Sequence, residues 1–566
     1  MPTGVENSKR ADRRLLIVAN RHPVTVKRTT DGQYSYNISS GGLVTGLSGL
    51  PPSLKDNSVY YGWPGIDVPP QEVEEVEAGM ADKGGVPLWI DGRLMDMHYN
   101  GYSNSIVWPL FHYHANEMTF EEGPWEAYVK VNRLFAKKVA EDVRDNDIVW
   151  IHDYHLMLMP KMLREEMRNL NKKVRNLKVG FFLHIPWPSS MEFMKLPYRE
   201  EVLESLLNAD LCGFHTYDYA RHFLSACHKI LGLTTSPNGV MFDGRNVHVG
   251  AFPIGINPEK EVSAMKKENV ISRVKELKEG SFKDKTVVIS VDRLDYIKGL
   301  PHKFHAFDMF LENNPDFVGH AVLLQIVVPS RQDVKEYQIL RSHISELAGR
   351  INAKYGTVTY QPIVYRHTSV PHDELVAMYA LADACFVTST RDGMNLVSYE
   401  YIACQYENHG QLVISEFAGA AQSMKGSIVI NPWDTNDMIA ALRKALTMSE
   451  AKKEENWKKM WDYVNTYTSA NWGISFVDEL TSIGTGEMPD VLTRQASDSG
   501  SDNEINGMNR GTDGVDKTES EHNQRNQPVI VQRDRMDSAG SGQLGFSDPA
   551  ERMAPEAGAA VNGVSS

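Results

Sequence analysis

Residues Ala384–Glu400 read Ala-Cys-Phe-Val-Thr-Ser-Thr-Arg-Asp-Gly-Met-Asn-Leu-Val-Ser-Tyr-Glu, an apolar run followed by a short polar loop. The pattern predicts a strand over residues 384–388 and a helix that begins near Asn395. The first amides of a helix carry partial positive charge, which suits a phosphate or a sugar hydroxyl. Gly393 allows a ligand to approach the backbone closely, and Glu400 is a carboxylate able to hold a diol such as ribose. An ordinary capped turn explains this stretch equally well when it is taken alone.

Apolar strands and helical stretches alternate along most of the chain. The strands show little polar alternation, which is typical of strands buried on both faces of a parallel sheet. The predicted strands are Leu15–Val18, Ile148–Ile151, Val179–Leu183, Leu211–Phe214, Val287–Val291, Val322–Val328, Ala384–Thr388, Leu412–Ile414 and Ile428–Ile430. Residues Trp125–Arg144 carry apolar side chains three or four apart and predict an amphipathic helix. The alternation predicts an α/β fold with parallel sheets.

A break near the middle of the chain predicts two Rossmann-like, doubly wound domains. Residues 251–258 end one set of strands, residues 260–279 form a charged helical stretch, and the next strand begins only at Thr286. We therefore expect an N-terminal domain over 13–257 and a C-terminal domain over 258–460, with a cleft between them and a hinge near Gly255.

The two ends of the chain differ from the rest in composition. Residues 485–566 contain 14 Asp and Glu against 7 Lys and Arg, and Phe546 is their single aromatic residue. Such a segment buries too little apolar area to offset the entropy lost on ordering. We predict that residues 1–12 and 485–566 are disordered.

Composition argues against several classes of protein. The net charge of -14 over 566 residues is unlike the basic surface of a nucleic-acid binder. The four cysteines form no CxxC pair and lie mostly in apolar runs, as expected for free thiols in a reducing compartment. The chain has no signal-peptide pattern and no apolar stretch of membrane-spanning length. We expect a cytoplasmic protein that binds neither nucleic acid nor membrane.

Polar or charged side chains follow six of the predicted strands, from both halves of the chain. These groups are Asn20-Arg21, His152-Asp153, His184, Asp292-Arg293, Pro329-Ser330-Arg331 and Arg391-Asp392-Gly393. One such residue after a strand is usually a solvated loop residue. Because open α/β sheets bind ligands beyond the carboxyl ends of their strands, six in succession favour one cleft for a small molecule.

The cations at these strand ends indicate an anionic ligand. Arg21, Arg293 and Arg331 suit bidentate binding of phosphate, and Lys298 supplies a point charge. Arg293 and Lys298 are five residues apart across one loop, which fits convergence on a diphosphate, although two exposed charges are an equal alternative. Gly41-Gly42 can bring backbone amides against a phosphate or sugar, but most such pairs are plain turns. No cluster has metal-ligand spacing, so we expect no metal and no cofactor.

Two aromatic residues suggest a sugar site. Tyr99 and Trp108 lie in stretches that also contain Asn and His, and aromatic faces beside polar groups suit a sugar ring. For Trp108, packing in the core is the favoured alternative.

Several long motifs resemble the trehalose-6-phosphate synthase family, and within it the fungal-type catalytic subunit. The matching motifs are Asn20-Arg21, Gly41-Gly42-Leu43, Asn100-Gly-Tyr-Ser-Asn104, Trp108-Pro-Leu-Phe-His-Tyr113, His152-Asp-Tyr-His155, Val291-Asp-Arg-Leu-Asp-Tyr-Ile-Lys-Gly299, Val328-Pro-Ser-Arg331, Arg391-Asp-Gly-Met-Asn-Leu-Val397 and Glu416-Phe-Ala-Gly-Ala-Ala-Gln-Ser423. The resemblance covers roughly residues 13–484.

The resemblance implies a retaining GT-B glycosyltransferase with two Rossmann-like domains. It would transfer glucose from UDP-glucose to glucose 6-phosphate, giving α,α-trehalose 6-phosphate and UDP, without a cofactor. It would assemble with copies of itself, or with a trehalose-6-phosphate phosphatase and regulatory subunits. A helix within residues 461–484 would return to the N-terminal domain.

The resemblance also implies a role for each matched residue. The acceptor site would comprise Arg21, Tyr99, Trp108, Asp153 and Arg331. The donor site would comprise Gly41, Gly42, His184, Arg293, Lys298, Val370, Asp392, Gly393, Met394, Asn395, Leu396, Val397 and Glu400, with Val370 at the uracil and Glu400 at the ribose. Asp153, His184, Arg293 and Lys298 would serve catalysis.

Three alternatives remain open at this point. One is a transferase of the same fold with another phosphorylated acceptor, such as glycerol 3-phosphate. Another is a catalytically silent regulatory subunit, although such a subunit should have lost cleft residues that are all present here. A fused phosphatase is disfavoured because residues 485–566 contain no Asp-x-Asp strand.

Overall fold

A computed structural model describes residues 13–38, 42–330 and 335–484, with the backbone alone described at residues 42 and 335. The segments predicted to be disordered, 1–12 and 485–566, lie outside the described residues.

The chain forms two sheets of mostly parallel strands and one short hairpin. The strands are β1 Leu15–Arg21, β2 Val24–Arg28, β3 Tyr34–Ile38, β4 Ser58–Trp63, β5 Gly85–Pro87, β6 Ile148–His152, β7 Lys178–Phe182, β8 Leu211–Phe214, β9 Thr235–Ser236, β10 Gly239–Phe242, β11 Arg245–Ala251, β12 Thr286–Arg293, β13 Ala321–Val328, β14 Ile363–His367, β15 Ala384–Val387, β16 Gln411–Ser415 and β17 Ile428–Ile430. The predicted α/β class with two parallel-sheet domains is confirmed.

The order of strands differs between the two sheets. The N-terminal sheet runs β5-β4-β1-β6-β7-β8-β11-β10-β9, and only its last two pairings are antiparallel. The C-terminal sheet runs β14-β13-β12-β15-β16-β17, with every pairing parallel. In each sheet the order of connection reverses once, between β1 and β6 and between β12 and β15. Such reversals open a crevice at the carboxyl ends of the strands, where ligands bind.

Helices cover both sheets. The α-helices are Gly42–Ser48, Pro52–Lys55, Val73–Ala81, Gly92–Asp96, Trp108–Phe111, Pro124–Asp142, Met159–Asn169, Ser190–Phe193, Arg199–Leu206, Tyr217–Leu231, Pro258–Met265, Glu268–Glu279, Leu300–Asn313, Lys335–Tyr355, His372–Leu381, Leu396–Ala403, Thr435–Leu446, Glu450–Thr466 and Ser469–Ser482. A π-helix, Met97–Val107, leads into Trp108–Phe111. None of the helices in the described ranges has the length and apolar character of a membrane span.

All nine predicted strands are present; Leu211–Phe214 and Ile428–Ile430 match the predicted bounds, and the ends of the other seven differ by at most three residues. The predicted helix at Trp125–Arg144 spans Pro124–Asp142. The charged stretch 260–279 contains two helices, Pro258–Met265 and Glu268–Glu279, and β12 begins at Thr286. The exact domain boundaries stay predictions.

The last described helix packs on the N-terminal sheet. Phe476 stacks on Trp150 with ring centroids 4.7 Å apart. Added Cβ atoms at Gly180 and Gly213, in β7 and β8, would lie 2.7 and 2.6 Å from the Phe476 ring, so these glycines leave the space that the ring fills. Residues 461–484 contain the end of one helix and a second helix, separated by Tyr467 and Thr468.

The chain passes between the two sheets at two adjacent places. The N–H of Ser469 donates to the carbonyl of Ile256 at 2.9 Å. A Cβ atom at Gly255 would lie 1.9 Å from the carbonyl oxygen of Tyr467, so only glycine permits this approach of the two crossings. The predicted hinge region therefore lies directly against the second crossing.

Candidate active site

The two reversal points carry most of the residues predicted for the site. Arg21 ends β1 and Asp153 follows β6 in the N-terminal sheet. Arg293 ends β12 and Asp392 follows β15 in the C-terminal sheet. The fold thus places Arg21 and Asp153, predicted for the acceptor, on one wall and Arg293 and Asp392, predicted for the donor, on the other.

Lys298 and Asp392 form a buried ion pair on the C-terminal wall. The Lys298 Nζ lies 2.5 Å from the Asp392 Oδ2, and both residues are 8% exposed. The Ser389 hydroxyl donates to the same carboxylate at 3.3 Å. Burial opposes ionisation of Asp392, but the charge and hydrogen bond of Lys298 outweigh it, so the Asp392 pKa lies below its ordinary value. The Asp392 carboxylate is therefore ionised at neutral pH.

The loops that carry Lys298 and Asp392 are joined through Thr390. The N–H of Thr390 donates to the carbonyl of Ile297 at 2.7 Å, and its hydroxyl donates to the same carbonyl at 3.1 Å. Gly299 has φ +62°, and a Cβ there would lie 2.1 Å from the Thr388 carbonyl oxygen. Because a side chain at Gly299 would force the loops apart, this glycine sets the position of Lys298.

Arg293 reaches across to the N-terminal wall. Its guanidinium carbon lies 5.2 Å from the centroid of the Trp108 ring, within cation–π distance. Its Nη2 lies 3.7 Å from the Oδ2 of Asp295, a carboxylate that is fully buried. Trp108 is itself 5% exposed and belongs to the N-terminal core. Trp108 therefore packs in the core, as the alternative interpretation predicts, and its role in a sugar site stays a prediction.

His184 lies where the two domains touch. The Nε2 of His184 is 3.1 Å from the Nδ1 of His152. The backbone N–H of His184 donates to the Asp153 carboxylate at 3.1 Å. A Cβ at Gly393 would lie 2.3 Å from the His184 carbonyl oxygen. Burial, with the neighbouring His152 and His215, holds the pKa of His184 well below 6.5, so its imidazole is neutral.

Asp153 has an unusual backbone conformation. Its φ of +76° is rare for a residue with a side chain, and its N–H donates to the carbonyl of Phe182 at 2.8 Å. Its Oδ2 lies 4.0 Å from the Nδ1 of His155. Strain of this kind often marks a functional position, because the surrounding structure must hold it in place.

Arg21 and Tyr99 extend the N-terminal wall. The Arg21 guanidinium lies 4.9 Å from the centroid of the Trp63 ring. A Cβ at Gly65 would overlap the guanidinium, at 1.8 Å from its Cζ, so glycine leaves the space that Arg21 occupies. Tyr99 stacks on His155 with centroids 5.4 Å apart and an angle of 6° between the rings.

The opening stretch forms the predicted strand, loop and helix. The helix Leu396–Ala403 begins after Asn395, whose side chain caps it by accepting from the N–H of Ser398 at 3.0 Å. Met394 and Leu396 pack against the cores of both domains. The amides of Leu396 and Val397, which have no partner within the helix, are the ones predicted to meet the donor.

Glu400 lies in the second turn of that helix, beside other titratable groups. The Tyr379 hydroxyl donates to its Oε2 at 3.4 Å. Burial, and next the charge of Glu261, raise the pKa of Glu400 to about 7, against the opposing effects of Lys260 and His372. The carboxylate is therefore partly protonated at neutral pH in the absence of a ligand.

The remaining predicted residues are less well defined by the structure. Gly41 and Arg331 lie outside the described residues, and Gly42 begins the helix Gly42–Ser48. Val370 lies in the loop before the helix His372–Leu381 and packs against the C-terminal core. Within the described ranges, no group of three or more His, Cys, Asp or Glu is arranged to hold a metal ion. The absence of a metal requirement stays a prediction.

The structure also brings to the cleft His114, Thr390 and Tyr219, which were not among the predicted site residues. His114 Nε2 lies 3.0 Å from the Thr390 Oγ1, and the Arg391 guanidinium lies 4.2 Å from the Tyr113 ring centroid. The Tyr219 hydroxyl donates to the Asp392 carbonyl at 3.0 Å. These contacts join residues more than 170 positions apart, so no local pattern reveals them.

The two α/β domains meet at the carboxyl ends of their parallel strands. One wall of the cleft carries a lysine, an arginine and a helix start. This arrangement is that of a glycosyltransferase of the GT-B type. The chain belongs to glycosyltransferase family 20, whose family model matches residues 13–482.

Similar proteins agree with this assignment. The chain is 56% identical over 490 residues to the Emericella nidulans protein named alpha,alpha-trehalose-phosphate synthase (UDP-forming), covering 86% of this chain and 96% of the relative. It is similar to the crystal structure of the Burkholderia xenovorans alpha,alpha-trehalose-phosphate synthase (UDP-forming) in complex with glucose-6-phosphate, with a TM-score of 0.72, 31% identity and coverage of 82% and 99%. An E. coli structure bound with UDP-2-fluoro glucose matches with a TM-score of 0.73, 32% identity and coverage of 83% and 99%.

Proposed function

We propose that the protein transfers glucose from UDP-glucose to glucose 6-phosphate with retention of configuration, releasing UDP and α,α-trehalose 6-phosphate. The observation that carries this proposal is the approach of Arg293 to Trp108, which places a donor-side cation 5.2 Å from the ring of an acceptor-side aromatic. The two substrates would therefore meet at this point of the cleft. The relatives named above support both substrates.

The donor side would act mainly by electrostatics. Arg293, Lys298 and the first amides of the helix Leu396–Ala403 supply positive charge where the diphosphate of UDP would lie. Charge develops on that diphosphate as the sugar departs, and groups already aimed at it stabilise the transition state without reorganising. Val370 would contact the uracil and Glu400 the ribose. Contact of Gly393 with His184 closes the cleft beside the donor, which excludes water.

Retention is best explained by substitution on a single face of the sugar. A double displacement needs a free carboxylate as nucleophile. The Asp392 carboxylate is occupied by Lys298 and Ser389, and the Asp153 carboxylate accepts the N–H of His184. We therefore infer that the departing UDP oxygen accepts the proton of the acceptor hydroxyl on the face where the new bond forms.

The acceptor side would recognise a phosphorylated sugar. Arg21, and Arg331 from outside the described residues, would bind the phosphate of glucose 6-phosphate. Tyr99 and Trp108 would border the acceptor, and Asp153 would bind its hydroxyls. The strained backbone of Asp153 fixes that carboxylate beside His184, next to the predicted donor sugar.

The test is UDP release from UDP-glucose in the presence of glucose 6-phosphate, glycerol 3-phosphate or neither. We expect rapid release only with glucose 6-phosphate, together with a phosphorylated disaccharide detected by mass spectrometry. Release that does not depend on glucose 6-phosphate overturns the proposal. Dependence on glycerol 3-phosphate would instead assign the alternative acceptor, and no release with either would assign a silent regulatory subunit.

We further propose that the protein assembles with copies of itself, or with a trehalose-6-phosphate phosphatase and regulatory subunits. Met191 and Tyr217 are 68% and 56% exposed, on two helices that pack together. Both are large side chains left exposed to solvent, which an interaction surface would cover. Light scattering of the purified chain, alone and after mixing with such a phosphatase, tests the assembly.

A cytoplasmic location is proposed from cysteine chemistry. Cys212, Cys227, Cys385 and Cys404 are all buried and free, as in proteins of reducing compartments. Imaging of a fluorescent fusion checks this location.

A further inference from the structure

A short turn after Trp108 connects the acceptor wall to the donor loops. The helix Trp108–Phe111 ends in a turn held by its own backbone, in which the N–H of Tyr113 donates to Leu110 at 3.1 Å and that of His114 donates to Pro109 at 2.8 Å. Tyr113 and His114 are therefore fixed relative to Trp108. Both side chains then contact the opposite domain.

The His114 side chain contacts the place where the two phosphate-side loops join. Its Nε2 lies 3.0 Å from the Thr390 Oγ1, and its ring centroid lies 5.1 Å from that of Tyr296. The Thr390 hydroxyl donates to the Ile297 carbonyl, so its oxygen is placed to accept the N–H of the Nε2-protonated tautomer of His114. Burial lowers the pKa of His114, which favours the neutral imidazole. His114 thus makes a hydrogen bond at the joint between the loops of Lys298 and Asp392.

Tyr113 makes a second contact with the donor loop. The Arg391 guanidinium carbon lies 4.2 Å from the centroid of the Tyr113 ring, next to Asp392 in the chain. The Tyr113 hydroxyl accepts the N–H of Ser189 at 2.7 Å. Its φ of +65° is uncommon for an aromatic residue and persists because the contacts on both sides hold it.

We propose that Tyr113 and His114 are positioning residues that couple occupancy of the acceptor site to occupancy of the donor site. An acceptor that contacts Trp108 would stabilise the turn, and the turn would stabilise Thr390 and Arg391 against the donor loops. The reverse also holds, because coupling between two binding sites is reciprocal. This inference rests on the proposed function and adds a route by which each substrate favours the other.

A purely structural role within one domain would predict a different result. If Tyr113 and His114 only stabilised the fold of their own domain, their loss would weaken the binding of each substrate by the same factor whether or not the other is bound. Loss of coupling instead changes a ratio, that of the dissociation constant of UDP without glucose 6-phosphate to the dissociation constant of UDP with it. A change that weakens UDP binding equally in both conditions leaves this ratio unchanged, so the ratio separates the two explanations.

The experiment measures UDP binding by calorimetry with and without saturating glucose 6-phosphate, a pair that cannot react. In the unchanged protein we expect tighter binding of UDP with glucose 6-phosphate. His114→Phe removes the N–H donor and keeps a ring, and Thr390→Val removes only the hydroxyl. Each should lower the ratio of dissociation constants by about two- to tenfold, the range expected for one lost hydrogen bond. The double variant should lower it no further than either single variant.

Matched variants sharpen the result. Tyr113→Phe keeps the ring face and should keep the ratio, whereas Tyr113→Leu should lower it. His222→Phe removes a half-buried histidine whose Nδ1 lies 3.2 Å from the carbonyl of Trp187 in its own domain, and it should leave the ratio unchanged. Melting temperatures confirm that each variant is folded, and Thr390→Val, which is almost isosteric, carries the test if His114→Phe does not fold.

Two results overturn the coupling. One is a ratio of one in the unchanged protein, and the other is an unchanged ratio in both His114→Phe and Thr390→Val. Neither result contradicts the proposed function. That function is tested by whether UDP release from the unchanged protein depends on glucose 6-phosphate. Conversely, a release assay without that dependence contradicts the proposed function, and this result is obtained with the unchanged protein before any variant is made.

Discussion

Substitution of Lys298 by methionine tests the donor site most directly, because it removes a charge and keeps the length of the side chain. In the folded protein the ammonium lies 2.5 Å from the Asp392 carboxylate, and both side chains are nearly buried. The substitution therefore has two separate consequences. It removes a cation from the predicted diphosphate site, and it leaves the buried Asp392 carboxylate without its ion-pair partner, although the Ser389 hydroxyl still donates to it.

The two consequences have different magnitudes and different observables. Removing one partner of a buried ion pair costs about 3–5 kcal/mol of unfolding free energy. Removing one group that stabilises developing charge in the transition state costs about 3–4 kcal/mol, or roughly 100- to 1000-fold in kcat. We expect Lys298→Met to show both losses. Lys298→Met combined with Asp392→Asn should recover most of the stability, because the buried charge is gone, but none of the activity.

The stability loss also depends on pH in a defined direction. In the unchanged protein the lowered pKa of Asp392 contributes stability above the unfolded pKa of about 4, and this contribution disappears as pH falls through the lower folded pKa. In Lys298→Met the largest effect that opposes burial is gone, so burial raises the pKa of Asp392 against the smaller effects of His112 and Arg293. The difference in stability between the two proteins should therefore be large at pH 7 and should shrink toward pH 4.

The assay is UDP release at saturating UDP-glucose and glucose 6-phosphate, paired with urea unfolding of each variant. Lys298→Met with kcat near that of the unchanged protein would refute the donor role of Lys298. Recovery of activity in the double variant would refute it as well, since the defect would then come from the unpaired Asp392. A stability loss that is equal at pH 4 and pH 7 would contradict the assigned ionisation of the pair.

Three further predictions concern the same site. As pH rises from 5 to 8, the unfolding free energy of Glu400→Gln should increase by about 2 kcal/mol relative to that of the unchanged protein. The reason is that a carboxyl group with a raised pKa stabilises the fold only while it is protonated. Urea unfolding at the two pH values checks this. Gly393→Ala should lower kcat/KM by about 100-fold, since its Cβ would lie 2.3 Å from the His184 carbonyl oxygen and push the domains apart, and steady-state kinetics measures the loss. Lys303→Met should cost about 3–5 kcal/mol because it leaves Asp292 unpaired in the core, whereas the double variant with Asp292→Asn should unfold near the unchanged protein in urea.

The parts of the fold that the sequence predicts well are those with a single physical cause. β12 and β13 are apolar runs buried on both faces, and such runs have few other stable arrangements than a parallel sheet. Arg293 and Asp392 follow from the same rule, because parallel strands deliver their next residues to one edge. β14 was missed because its residues Ile363–His367 are half polar at the edge of the sheet, where one side lies near solvent.

Other parts of the site depend on contacts between distant residues and leave no local pattern. The pairing of His114 with Thr390 joins positions 276 apart. Gly65 appears as an ordinary turn glycine in the sequence, and only the fold shows that its missing side chain makes room for Arg21. The strained backbone of Asp153 is likewise imposed by its surroundings, since its N–H is drawn to the carbonyl of Phe182 on the neighbouring strand.

The geometry also changes the interpretation of Asp392, which the resemblance assigned to the donor. A lysine ammonium has three N–H groups and no fixed direction of its own, so a lysine that must meet a diphosphate is poorly positioned unless something holds it. Asp392 accepts one of the three, and its loop is fixed in turn by the N–H bond to Phe417 and by the Tyr219 hydroxyl. Two N–H groups of Lys298 remain for phosphate oxygens. We infer that Asp392 orients the Lys298 ammonium before the donor binds. Because Tyr219 comes from the opposite domain, this arrangement would depend on closure of the cleft. The carboxylate would then contribute to turnover even where it does not contact the sugar.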